Sequence, residues 1–171
     1  MIRTRTARLS MRRTFVSFIN CEQGTQLIEF AIALPFLVLM FAGAVELGRL
    51  FYTYTALTKA TVVGARHLSS PVIAFDGTSY AAGDITSAQN LMICGFGNCS
   101  GRTPIVPGFT PSNITITPPP DTPGVRYVTV SVSYSYTPKV FNLAGLTGVS
   151  SLSLNYTLTP QTTMRYMRDA E

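Results

Sequence analysis

The pattern of apolar and polar positions divides the chain into one long apolar run and a later region of alternation. From Phe30 to Val45 there is no charged or strongly polar residue, and Leu27 and Ile28 extend the run upstream of Glu29. The 21 residues from Thr25 to Val45 would span about 31 Å as an α-helix. Because a hydrocarbon core is about 30 Å thick, this segment predicts one membrane crossing rather than the buried core helix of a soluble protein.

The apolar run passes into an amphipathic segment, which predicts that the same helix continues beyond the membrane. Glu46 and Arg49 are three residues apart, so they form a predicted pair on the helix surface where the span reaches the far interface. Apolar residues then recur at mostly three- and four-residue spacing, which is the helical period. We predict a helix from Thr25 to about Leu68 within a helical region of residues 25–70, membrane-spanning over about 25–46 and kinked at Pro35.

The period changes to two in the C-terminal part, which predicts half-buried β-strands. A short strand is predicted at 114–117, and alternation over 128–136 and 152–158 predicts two more within residues 114–162. The expected fold class is α+β, with a long N-terminal transmembrane α-helix packed against a small antiparallel β-sheet. The strands belong to a predicted exported domain of residues 71–171.

The region between the long helix and the strands is rich in glycine, proline, serine and aspartate. Its residues 71–113 form a predicted variable loop that contains one short helix from Ile85 to Ile93, capped by Asp84 or Thr86. This region has no pattern that assigns a function to it.

The distribution of charge predicts the orientation of the helix in the membrane. Charged residues make up only 12% of the chain, below the roughly 25% of soluble domains. Residues 1–24 hold five arginines against one glutamate, a net charge of +4, whereas the remainder holds eight basic and seven acidic residues, a net of +1. A basic flank tends to stay cytoplasmic, which puts the C-terminal domain outside. A nucleic-acid-binding arm is the competing interpretation, disfavoured because no basic surface follows downstream.

The cysteines predict a small disulfide loop. Cys21 lies in the basic leader, whereas Cys94 and Cys99 lie close together on the predicted exported side. An oxidising compartment favours a disulfide between them, with free thiols as an alternative. A metal site is disfavoured because the only histidine, His67, is far away in sequence. No cofactor or metal is predicted.

The spacing between Gly24 and Glu29 indicates processing. A carboxylate in hydrocarbon costs roughly 2.5–3.5 kcal/mol on insertion scales unless it is paired. Cleavage after Gly24 would create an α-amino group at Thr25, about one helical turn from Glu29. The two groups could pair within one subunit or between stacked subunits. Alternatively, Glu29 lies near the cytoplasmic interface and reaches into the headgroups.

Three segments in order resemble the TadE-like family of pilin-like proteins, which belong to bacterial tight-adherence (Tad) systems. They are Glu22–Ala31, then Leu34–Leu37 with Glu46–Arg49, then Ala56–Ala60 with Gly64–Arg66. The first segment looks like the family's prepilin peptidase site with its downstream glutamate. Phe30 is a departure, because related pilins often carry tyrosine there.

The resemblance implies a minor pilin or pseudopilin precursor that is cut after Gly24 and used to assemble a Tad-type (Flp) pilus for adherence or secretion. Glu29 and Phe30 would be its assembly residues. The implied partners are the prepilin peptidase, the Flp-type major pilin, sister pseudopilins, the inner-membrane assembly platform and membrane lipid, but no nucleic acid. The implied location is the bacterial inner membrane, with a cytoplasmic N-terminus, a periplasmic C-terminal domain and incorporation into a surface pilus.

Three other functions compete with this hypothesis. An enzyme in the exported domain is disfavoured, because the chain has one histidine, His67, and only three acidic residues lie between Pro71 and Pro160, which leaves little for catalysis. An unprocessed, single-pass, membrane-anchored binding module of the cell envelope would share the helix but lack the cleavage. A major pilin is disfavoured because the exported domain is large for the short Flp type.

Overall fold

The structure is a computed structural model that describes residues 22–73, 75–120, 126–139 and 155–167. The predictions for the leader before residue 22, for Cys21 and for strand positions 152–154 lie outside these residues. The chain divides into two units, Met1–Val45 and Glu46–Glu171, and each is described by itself.

Helix α1 runs from Glu22 to Leu68 and begins three residues before the predicted start. It continues through Pro35, whose missing N–H leaves the carbonyl of Ala31 without its usual helical partner. The described part of the chain has one helix long and apolar enough to cross a membrane, and none of its most apolar window is buried inside the protein. This exposure argues against the core helix of a soluble domain. The kink at Pro35 stays a prediction.

Helix α2 runs from Ala82 to Cys94, three residues longer at its start than predicted. The predicted capping by Asp84 or Thr86 is wrong, because the N-cap is Ala81 and no side chain caps the helix. The Thr86 hydroxyl instead donates a hydrogen bond within the helix, to the carbonyl of Ala82. The helix ends at Gly95, whose left-handed backbone (φ 77°) directs its N–H back to a carbonyl of the last turn.

Within the described ranges, five short antiparallel strands follow, in two sheets. They are β1 (Ile114–Thr117), β2 (Tyr127–Val132), β3 (Tyr134–Tyr136), β4 (Tyr156–Leu158) and β5 (Gln161–Arg165). One sheet has the order β1-β2-β5, and β3 pairs with β4 in the other. The strand predicted at 114–117 is present as β1. The alternation predicted over 128–136 is present in β2 and β3, but these are two strands in two sheets rather than one.

The break between β2 and β3 has a local cause at Ser133. The Ser133 N–H donates to the backbone carbonyl of Asn113 over 2.8 Å. The side-chain amide of Asn113 donates to the Ser133 carbonyl over 2.9 Å. Both backbone groups of Ser133 are therefore bonded to one residue outside the strands, so the ladder ends there.

The core of the second unit forms between the C-terminal half of α1 and β2. Four small or branched residues of α1 pack in one cluster with alternate valines of β2, the set being Leu57, Ala60, Ala65, Leu68, Val128, Val130 and Val132. The hydroxyl of Thr61, fully buried in this interface, lies 2.8 Å from that of Thr162 in β5 and donates to the Thr58 carbonyl. The long N-terminal helix and small antiparallel sheet confirm the predicted α+β, pilin-like fold class.

Candidate processing and assembly sites

The predicted cleavage bond, Gly24–Thr25, lies in the first turn of α1. Gly24 is the third residue of the helix, and Thr25 is exposed. The first four N–H groups of a helix lack intrahelical partners. Glycine also lowers helix stability by about 1 kcal/mol relative to alanine. The bond therefore lies where the helix is least stable and most easily opened.

Glu29 lies four residues after Thr25, so the two share one face of α1 about one turn apart. The Glu29 side chain is exposed and forms no ion pair within the described part of the chain. Its neighbours Ile28, Phe30 and Ile32 are also exposed. The structure thus surrounds one carboxylate with apolar surface and leaves its predicted pairing untested.

A second carboxylate, Glu46, begins the other unit and lies in a different environment. It is only 1% exposed. Its Oε1 accepts a hydrogen bond from the Tyr136 hydroxyl, and a second from the backbone N–H of Lys139 over 3.2 Å. Its Oε2 lies 3.9 Å from Nη1 of Arg49. Donors from α1, from β3 and from the segment after β3 therefore meet at this one buried group.

This arrangement differs from the predicted pair of Glu46 and Arg49 on the helix surface. The two side chains do approach each other, and the Arg49 side chain is 41% exposed, but Glu46 is covered by the domain. The contact between Tyr136 and Glu46 does not follow from the local pattern of either segment. The sequence does contain one signal for such a contact. Tyr136 ends the apolar face of a predicted strand, and a tyrosine hydroxyl needs a hydrogen-bond partner when it is buried.

Burial, together with the contact to Glu46, keeps Tyr136 protonated. Burial raises the pKa of its phenol to about 12, and the hydrogen bond to Glu46 and the negative charge of Glu46 act in the same direction. Tyr136 therefore keeps its proton at neutral pH and remains a donor to the carboxylate.

The loop after α2 is closed by a disulfide between Cys94 and Cys99, the pairing favoured by the sequence. Inside the loop, Phe96 has its ring 3.6 Å from the guanidinium carbon of Arg102, a cation–π contact. Beyond it, the N–H of Ile105 donates to the Ile93 carbonyl over 2.8 Å. The loop is thus attached to α2 by covalent and hydrogen bonds. No group of three metal-ligating side chains occurs in the described ranges.

Comparison with known proteins gives one match. Residues 24–66 match the family model described as TadE-like protein. No curated protein and no solved structure matches the chain. The matched segment contains Gly24, Glu29, Glu46 and Arg49, and it confirms the resemblance inferred from the sequence. It implies a pseudopilin-like protein associated with a Tad pilus, structural rather than enzymatic in kind, whose partners belong to the pilus system. The one apolar helix of sufficient length among the described residues fits a single-pass membrane protein in such a system.

Proposed function

We propose that this chain, whose residues 24–66 match the TadE-like family, is a minor pilin or pseudopilin precursor that a prepilin peptidase cuts after Gly24. The observation that carries the proposal is the position of the Gly24–Thr25 bond in the first turn of an exposed apolar helix, one turn before Glu29. The cut removes the basic leader and leaves the whole apolar helix in the mature subunit. That subunit is then used to assemble a Tad-type (Flp) pilus for adherence or secretion.

Cleavage changes the electrostatics of the helix start. The N-terminus of a helix carries a partial positive charge, to which a new α-amino group at Thr25 adds a full one. Glu29 lies about 6 Å further along the helix and supplies the opposite charge. The amine and the carboxylate neutralise each other within a subunit, or between neighbouring subunits stacked in a filament. Pairing between subunits makes burial in the filament favourable only for processed chains.

The orientation proposed for the subunit places residues 1–24 in the cytoplasm, residues 25–46 in the inner membrane and the domain of residues 71–171 in the periplasm. The concentration of arginine in the leader supports this direction. The Cys94–Cys99 disulfide supports it independently, because such bonds persist in oxidising compartments. The partners in this scheme are the prepilin peptidase, the Flp-type major pilin, sister pseudopilins and the inner-membrane assembly platform.

The test is the N-terminus of the protein in cells that contain an active prepilin peptidase. N-terminal sequencing and intact mass should show a chain that begins at Thr25. Replacing Gly24 with leucine should leave the chain at full length. Gly43→Leu is the matched control in the same helix, because a Cβ added at Gly43 meets no atom within 4 Å. This control should be cut like the wild type.

Two results would contradict the proposal. A wild-type chain that keeps its leader beside an active peptidase would leave the unprocessed, membrane-anchored binding module as the better hypothesis. Equal loss of cleavage in the Gly24 and Gly43 variants would mean that the substitution disturbs membrane insertion and that Gly24 is not recognised.

A further inference from the structure

A polar pocket of about 410 Å³ lies beside the contact between Glu46 and Tyr136. Its walls come from α1, from the loop before β1 and from β3 with the residues that follow it. The side chains that matter for its chemistry are Arg49, Thr53, Ser135, Thr137 and Lys139. Among the described residues that line it, two are basic and none is acidic.

The two basic side chains of the pocket have capacity for a ligand. Nη1 of Arg49 lies 3.9 Å from Oε2 of Glu46, a long ion pair. Because a guanidinium has five N–H donors, Arg49 can also donate hydrogen bonds to a ligand. Lys139 contacts Glu46 through its backbone N–H, and its exposed ammonium forms no ion pair with the part of the chain that the structure describes. The backbone contact positions Lys139 near Arg49 without using its charge.

The pocket keeps a positive balance despite the nearby carboxylate. Glu46 is buried and is not among the residues that line the pocket. Its carboxylate accepts hydrogen bonds from the Tyr136 hydroxyl and the Lys139 N–H. The hydroxyls of Thr53, Ser135 and Thr137 add neutral donors to the two cations. A guanidinium, an ammonium and several hydroxyls around one cavity form a donor set suited to a phosphate group.

We propose that this pocket binds a phosphate group, and its position along α1 favours the phosphate of an anionic lipid headgroup. Arg49 follows Val45, near the end of the predicted span, by four residues of the same helix, a rise of about 6 Å. The headgroup layer extends about 5–7 Å beyond each side of the hydrocarbon core. Phe51 and Tyr52, both exposed, follow within one turn, as aromatic residues do at a membrane interface. A headgroup held by Arg49 and Lys139 would bridge α1 and the segment after β3.

The test uses the full chain in detergent micelles, titrated with phosphatidylglycerol or with phosphatidylcholine and followed by native mass spectrometry. Phosphatidylglycerol should bind more tightly, because the choline cation of the other lipid is repelled by the pocket. Arg49→Gln and Lys139→Gln should each weaken phosphatidylglycerol binding by about fivefold, the effect of one basic residue near an anionic surface. Lys59→Gln removes the same charge from an exposed position of α1 outside this pocket, and it should bind like the wild type.

A second arm of the experiment distinguishes the source of the phosphate. Inorganic phosphate titrated by calorimetry should bind far more weakly than the lipid. If inorganic phosphate binds tightly and both pocket variants abolish this binding, the phosphate site is supported and its ligand is a soluble phosphate compound, not a lipid. Equal lipid affinity in the wild type and all three variants, with no phosphate binding, would overturn the proposal. Thermal unfolding without lipid separates folding defects from binding defects, since Lys139→Gln retains the backbone contact to Glu46.

Discussion

The hydroxyl of Tyr136 donates a hydrogen bond to the carboxylate of Glu46, ninety residues earlier in the chain. Both side chains are almost fully buried, at 4% and 1% exposure. A buried carboxylate is unfavourable unless donors satisfy it. The contact therefore attaches α1 to β3 at the first residue of the second unit.

Replacing Tyr136 with phenylalanine should destabilise the protein by roughly 1.5–3 kcal/mol, the range for a hydrogen bond to a charged group. The physical reason is that the buried carboxylate of Glu46 loses the hydroxyl donor on its Oε1, where the Lys139 N–H also binds. Chemical denaturation of the full chain in detergent measures this loss. The matched control is Tyr134→Phe, because the Tyr134 hydroxyl donates to a neutral acceptor, the carbonyl of Pro107, over 2.7 Å. This control should lower the free energy of unfolding by only about 0.5–1.5 kcal/mol. Equal losses in the two variants would contradict the stronger hydrogen bond to the charged Glu46.

Alkaline pH should destabilise the fold through two tyrosines. Burial raises the pKa of Tyr80, and burial followed by the Glu46 contact raises that of Tyr136 to about 12. Because both folded-state pKa values exceed the ordinary value near 10, the contribution of the two tyrosines to stability is complete below about pH 10. The contribution of Tyr136 is lost as pH rises through 12, and that of Tyr80 is lost at higher pH. Tyrosinate absorbance should show a late step near pH 12 that is smaller in Tyr136→Phe. An unchanged titration in that variant would contradict the assignment.

Two glycines of α1 should respond in opposite ways to alanine. A Cβ added at Gly64 would clash with Sδ of the fully buried Met92 and lie 2.8 Å from its Cγ, whereas one added at Gly48 meets nothing within 4 Å. Gly48→Ala should therefore stabilise the helix by about 0.5–1 kcal/mol. Gly64→Ala should destabilise the fold by about 1–3 kcal/mol through overpacking against α2. Thermal unfolding of both variants measures the contrast, and a shift in the same direction for both would contradict the close packing.

Reduction of the Cys94–Cys99 disulfide should lower the free energy of unfolding by about 2 kcal/mol, the chain-entropy value for so short a loop. Unfolding with and without reductant measures the change. The control is the double variant Cys94→Ser with Cys99→Ser, which should be less stable and should not respond to reductant. A reductant effect of the same size in that variant would assign the loss to another cause.

The parts of the fold that depend on local pattern could be predicted from the sequence. The length of the continuous apolar run predicts the first part of α1, and the three- and four-residue spacing of apolar residues beyond it predicts the rest. The valines of β2 alternate with threonine and serine, so that strand also follows from the sequence. In β2 and in the C-terminal half of α1, the residue pattern itself determines which face is buried.

The parts that depend on distant partners could not be predicted in this way. Ser133 ends a strand because Asn113, twenty residues earlier, binds its backbone. Strand β5 has no buried residue to produce an alternating pattern, and it forms by pairing with β2. The burial of Glu46 depends on Tyr136. Each of these contacts arises from tertiary structure, on which local propensity gives no information.

The prediction with most bearing on the proposed function concerns Glu29. Glu29→Ala should leave cleavage after Gly24 intact, because the change lies one turn beyond the cut bond in the helix. It should reduce incorporation of the processed chain into filaments by about tenfold or more, since the Thr25 amine would then enter the apolar filament core without a counter-charge. Glu29→Asp keeps the charge and should restore part of the incorporation. Gln26→Ala, an uncharged change in the same turn, is the control.

The measurement is the ratio of processed protein in sheared filaments to that in membranes. Normal filament content in Glu29→Ala would show that the carboxylate does not pair during assembly, and would favour its alternative position among the lipid headgroups.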